Sequence, residues 1–152
     1  MLTTTLLIIH GLMAAALLGA VTHQAFAVSA GTRSHGFWGR FRGVHAPAYA
    51  PAICVLVAIT AVLGGLIYPQ YRIDVRPTLE DMNMRAANGV FEIKEHLVAI
   101  ALGILPGYWV AWRSTSPDYA PVRKYLTWLI AAIVWFGFVV GHILNNIKGL
   151  VP

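Results

Sequence analysis

Charge is what this chain most lacks. Of its 152 residues only 11% are Asp, Glu, Lys or Arg, where a soluble domain of that size carries roughly a quarter. Cysteine is almost absent as well. The single Cys54 lies in an apolar run, which excludes an internal disulfide and fits an inert apolar side chain. No serine, cysteine or acid constellation suits hydrolysis, and no glycine-rich phosphate loop is present. The net charge of +5 is spread through connecting segments rather than gathered on one face, so nucleic acid is not an expected partner.

What fills the gap is apolar sequence, 58% of the chain. A spanning helix needs about 20 mainly apolar residues, so there is room for four spans and little more. They are expected at about 2–27, 46–68, 93–112 and 125–147, in one transmembrane domain covering 1–152. The first ends in Ala25-Phe26-Ala27, which resembles a secretory cleavage site. No Lys or Arg precedes its apolar run, so it reads as a retained first span. Pro47 and Pro51 fall in the opening turns of the second span, and Pro106 marks a kink in the third. Short connections favour antiparallel neighbours, which predicts an all-α, integral membrane, up-down four-helix bundle surrounded by the lipid bilayer.

The second connector, 69–92, is the longest and most charged. Within it TLEDMNMRAA reads as a short surface helix capped by Thr78, with Asp81 completing an approximate capping box. Basic residues divide six to five between the two sides, a near balance. The uncharged N-terminus then favours both termini outside. In a bacterial inner membrane this multi-pass arrangement puts the termini and the second connector in the periplasm. Trp38, Trp109, Trp112 and Trp128 gather at the opposite interface as an anchor belt.

Polar side chains inside a span are costly and usually functional. The stretch HGLMAAALLGAVTH, 10–23, places His10 and His23 in the first span with no charge between them. By depth, His10, His142 and His96 form an outer layer, and His23 and His45 an inner one; His35 falls in the first connector. The layers lie about 20 Å apart along the first span, and His10 and His23 are rotated by about 140°. His10 is therefore expected to meet His142 on the fourth span, with His96 competing, while His23 meets His45 on the second.

Two or three histidines per layer, without acids or cysteines close by, are too few for a zinc or copper cage. They suffice for haem, which asks the protein for only one or two axial imidazoles. Gly11, Ala14, Ala15, Ala16, Gly19 and Ala20 beside the histidines, with Gly137 and Gly141, would let helices approach a flat ring closely. Arg72 and Arg76 outside, and Arg40 and Arg42 inside, are candidate propionate partners. The same small residues also make ordinary helix-packing surface, and membrane histidines also bond plainly between helices.

On His10, His23, His45 and His142 the layout resembles small four-helix membrane cytochrome b subunits. That resemblance implies one or two haem b groups and electron transfer between a quinone and a partner redox protein. The partners it implies are other subunits of a respiratory-chain or similar membrane complex, and a periplasmic cytochrome. In such a reading the chain is an electron-transport subunit of an oxidoreductase rather than an enzyme alone.

The FEIKEH segment, 91–96, offers Glu92, Lys94, Glu95 and His96 as a quinone-headgroup or proton-transfer site. Against that stands a plain interfacial helix start with Lys94 snorkelling outward, the favoured expectation. The IYPQYRIDVRP stretch reads either as a docking surface or as interfacial tyrosine anchors. Asn145 and Asn146 lie close to the face of His142, either to orient a ligand or to cap the helix. Two further functional classes stay open: a haem-free accessory or assembly subunit of a respiratory or photosynthetic complex, and a small metal-ion or proton transporter.

Overall fold

The structure is a computed structural model that describes residues 2–29, Gly36 and 46–149. Every element among the described residues is helical. Four are long: α1 (Leu2–Ser29), α2 (Ala46–Gln70), α4 (Arg85–Arg113) and α5 (Ala120–Gly149). A short α3 (Arg76–Asp81) follows α2 through a wide turn at Tyr71–Val75, and a 3₁₀ turn, Pro117–Tyr119, leads into α5. Three of the long helices, those at Leu2–Ser29, Pro47–Asp81 and Pro117–Ile147, are long and apolar enough to cross a membrane. The helix that holds the third predicted span, α4, is not in that group, and Arg85, Glu92, Lys94 and Glu95 charge its first half.

The helices pair in a ring. α1 lies on α2 and α5, and α4 lies on the same two. Hydrogen bonds fix the directions: Trp135 Nε1 donates to Thr22 at 2.9 Å and Trp128 Nε1 to Ser29 at 2.7 Å, so α5 descends as α1 rises. Trp112 Nε1 donates to Thr127, and Arg123 donates to the carbonyls of Ala111 and Ser114, which sets α4 antiparallel to α5. Tyr71, just beyond α2, bonds Asn88 near the start of α4. Two ends follow, called here the Tyr71 end and the Trp112 end.

The helical stretches outrun the expected spans, most of all in the 69–92 connector. Pro69 does not stop α2, because a proline removes only its own N–H donor and the helix is carried on by its neighbours. Beyond Gln70 the chain widens: the Arg76 N–H reaches back five residues to the Tyr71 carbonyl. That wider loop accommodates Pro77, which has no N–H to give. Thr78 is therefore no cap. It sits inside helical structure and donates from Oγ1 to the Asp74 carbonyl at 2.8 Å. The real break is at Asn83, whose φ of 59° is left-handed, a conformation asparagine tolerates better than most residues. α4 then starts at Arg85, eight residues ahead of the expected Ile93.

Packing is uneven along the ring. Towards the Trp112 end Leu17, Val21, Ala25, Ala50, Ile53, Val57, Tyr108, Ile130 and Ala131 make one buried cluster from all four long helices. Tyr108 in its centre donates a hydrogen bond to the buried Gln24, so neither polar group is stranded. Towards the Tyr71 end Leu79 of α3 packs with Val140 and Leu144 of α5. Outside these clusters large apolar side chains face outward, including Ile8, Leu12, Val55, Val62, Leu66, Trp135 and Ile143. Exposed apolar surface on that scale belongs in contact with lipid.

Candidate functional site

Between the two clusters, on the Tyr71 side, polar groups enter the helix interior. His10 of α1 turns towards α2: a methyl group placed on Gly64 would lie 3.4 Å from His10 Cε1. Its Nδ1 is buried and makes at most a loose hydrogen bond to the Thr60 backbone. Thr60 Oγ1 is buried and lacks a partner. A buried polar atom left in this condition costs about 1–3 kcal/mol, which makes the pair conspicuous in an otherwise apolar helix contact.

Lys94 reaches the same level from α4. A methyl group on Gly137 would lie 3.9 Å from its Cγ, and one on Gly141 would lie 3.7 Å from its Nζ. The two glycines are one helical turn apart on α5 and leave the groove through which the lysine runs. Its charge is close enough to act on His10. The ammonium also lies 5.1 Å from the centre of the Phe91 ring, a cation–π distance.

An aromatic cap covers this centre. Phe91 and Tyr71 stack at 3.8 Å with 15° between their planes, and Tyr68 lies nearly parallel to Phe91 at 6.4 Å. Tyr71 Oη donates to Asn88 Oδ1 at 2.9 Å, which fixes the ring. Arg76 pairs with Glu80 at 2.8 Å and with Glu92 at 3.6 Å, tying α3 to α4 above the cap. Arg72 is exposed, donates to Tyr68 Oη at 3.1 Å and lies over that ring. Both arginines are thus at the end of the ring where His10 and Lys94 lie.

The remaining histidines fall elsewhere. His142 is exposed on α5 and its ring lies parallel to Phe138 of its own helix. The reason is rotational. Val140, Gly141 and Leu144 occupy the inward face of α5, and a residue one step past Gly141 turns about 100° away from it. His96 is exposed as well, with Nδ1 2.7 Å from the Glu92 carbonyl on its own helix. It lies two residues past Lys94, about 200° around α4, so the two cannot point inward together. His23 stacks loosely on Tyr49 of α2, with ring centres 5.2 Å apart. His45, His35, Arg40, Arg42 and Trp38 lie outside the described residues.

Two imidazoles facing one another at equal height would suit a doubly ligated haem. The contacts of His10 are with α2, and those of His142 are with its own helix, so the structure does not bring these two rings together. Among the described residues no group of three or more His, Cys, Asp or Glu side chains is arranged to hold a metal ion. What does converge is His10, Thr60 and Lys94, under Tyr68, Tyr71 and Phe91. Lys94 had an interfacial reading in the sequence, and Thr60 had none. The pairing of Gly137 with Gly141 four residues apart was the available signal that a long side chain from a neighbour lies there. No protein-family model, curated protein or solved structure matches this chain.

Proposed function

We propose that this chain is an integral membrane subunit of a redox complex, four spans running alternately up and down. Its working centre is the half-buried group formed by His10, Thr60 and Lys94. The ligand that suits the centre is a quinone headgroup. A quinone oxygen accepts hydrogen bonds; Lys94 Nζ, Thr60 Oγ1 and a protonated imidazole nitrogen donate them. The flat ring of a quinone suits a neighbourhood of stacked Phe91, Tyr71 and Tyr68. The observation that carries the reading is Thr60 Oγ1, buried without a partner, beside a buried His10 Nδ1 that is at most loosely bonded, at the level where Lys94 enters. Such atoms are retained in a membrane interior when they serve a ligand or a proton.

In this reading the chain's own residues bind and orient. Lys94 fixes one ring oxygen, and His10 takes up or releases a proton beside it. The apolar cluster at the Trp112 end holds the helices rigid beneath the centre. Electrons pass to or from a partner subunit or a periplasmic cytochrome, with the protein in a bacterial inner membrane and its termini in the periplasm.

A second reading keeps haem b, with His10 as a single axial ligand and Arg72 and Arg76 as propionate partners. The seating of the half-buried His10 ring against Gly64 of α2 favours it, since an axial imidazole needs an apolar setting. One preparation separates the two. Detergent-purified protein is extracted with organic solvent for quinone and scanned for reduced-minus-oxidised absorbance. The quinone reading expects bound quinone that disappears in Lys94→Met and Thr60→Val. A reduced α-band lost in His10→Ala would transfer the site to haem. A folded preparation with neither would leave a haem-free accessory subunit.

A further inference from the structure

Away from that centre, α2 and α4 leave an open apolar groove at the Trp112 end. Two hollows of about 390 and 190 Å³ share Trp109 and run on from one another along the helix pair. The first lies between Cys54, Leu102 and Pro106, and the second continues past Pro51 to Arg113. From Leu102 to Arg113 the groove follows α4 for about 16 Å, a length that takes most of a fatty-acyl chain. Its apolar end is in the middle of the helix pair and its charged end is at the mouth.

The mouth has an available cation. Arg123, its basic neighbour, spends its guanidinium on the carbonyls of Ala111, Ser114 and Ser116. Arg113 is exposed, rests on the Trp109 ring at 5.3 Å, and has no acidic partner among the described residues. Lys124 is exposed at the start of α5, and Asp118 is the acid in the turn between. An apolar slot ending in an unpaired guanidinium is complementary to one kind of membrane molecule.

We propose that this groove is a binding site for an anionic phospholipid, one acyl chain lying along Trp109 and Pro106 and the phosphate held by Arg113. Arginine is suited to the phosphate because its planar fork offers paired donors. The commonplace alternative is that Arg113 only complements the C-terminal dipole of α4. That role carries no preference among lipids, which gives the test its edge.

Quenching of Trp109 by phospholipids brominated on the acyl chain reads the site directly. The protein is reconstituted with brominated phosphatidylglycerol or brominated phosphatidylcholine, and the signal of a Trp109→Phe variant is subtracted. Half-quenching is expected at about five-fold lower mole fraction for the anionic lipid, the effect of roughly one interfacial charge. Arg113→Gln removes the preference and Arg113→Lys keeps most of it, while total tryptophan fluorescence in unbrominated lipid stays the same. Equal curves for the two lipids in the wild-type protein would overturn the proposal. So would an undiminished preference in Arg113→Gln, or relief of quenching by a long-chain quinone but not by unbrominated phosphatidylglycerol.

Discussion

The two halves of this molecule solve the same packing problem differently. Towards Trp112 the four long helices close on a cluster in which even the polar members are paired, Tyr108 with Gln24 and Trp112 with Thr127. Towards Tyr71 the interior takes in an imidazole, a hydroxyl and an ammonium, and there the hydroxyl has no partner and the imidazole is at most loosely bonded. Stability gains from every satisfied group, and a binding centre must keep some groups unsatisfied until its ligand arrives. On the proposed function, the first half is the support and the second is the site. Deletion of a polar group should therefore lower stability in the first half and leave it unchanged or raise it in the second.

The largest effect belongs to Tyr108. Replacing it with Ala empties the middle of the buried cluster and strands Gln24, at a cost of about 3–5 kcal/mol. Tyr108→Phe keeps the volume and loses only the bond, at about 1–3 kcal/mol. Thermal unfolding in detergent should rank wild type first, then Phe, then Ala. A stable Tyr108→Ala protein would remove the distinction between the halves.

In the other half, Thr60→Val and His10→Leu each delete a buried polar atom that has no well-formed hydrogen bond. Both are expected to leave the unfolding temperature of ligand-free protein unchanged or raised, by an amount equivalent to about 1 kcal/mol. Binding of a short-chain quinone, followed by the heat of titration, should weaken by ten-fold or more in each. Loss of stability without loss of binding would reverse the assignment of the two regions.

Gly141→Leu tests the groove that admits Lys94. Its side chain would press on the lysine's ammonium, 3.7 Å from where the first added carbon must sit. Displacement of Lys94 should reduce quinone binding several-fold and lower stability by about 1–3 kcal/mol from overpacking. Gly65→Leu is the matched control, since the first added carbon there meets nothing within 4 Å.

The smallest effect is expected at Arg76. Its bonds to Glu80 and Glu92 are at the surface, where such pairs contribute about 0–1 kcal/mol. Arg76→Gln should shift unfolding little and should leave the Trp112 half untouched.

The helical class and three of the apolar spans were legible in the sequence because burial in lipid demands long apolar runs. Rotation about each helix axis was not. A displacement of one residue turns a side chain by about 100°, and His142 faces outward because its neighbour Gly141 faces in. The place of Lys94 along its helix was not legible either. With α4 starting at Ile93 a lysine at 94 belongs to the interface, but the helix starts at Arg85, so Lys94 lies more than two turns inside it. The extra turns come from Asn83, whose left-handed backbone ends the preceding helical stretch and lets a new helix begin at once. Thr60 carried no signal in sequence, since a threonine in a span normally bonds its own helix backbone.

The most direct test of the buried centre is the quinone content of the purified protein, measured beside that of the double variant His10→Leu/Lys94→Met. Wild-type protein should retain quinone in stoichiometric amount, and the double variant should retain almost none while unfolding at the same or a higher temperature. Equal quinone in both proteins, or none in the wild type, would contradict it.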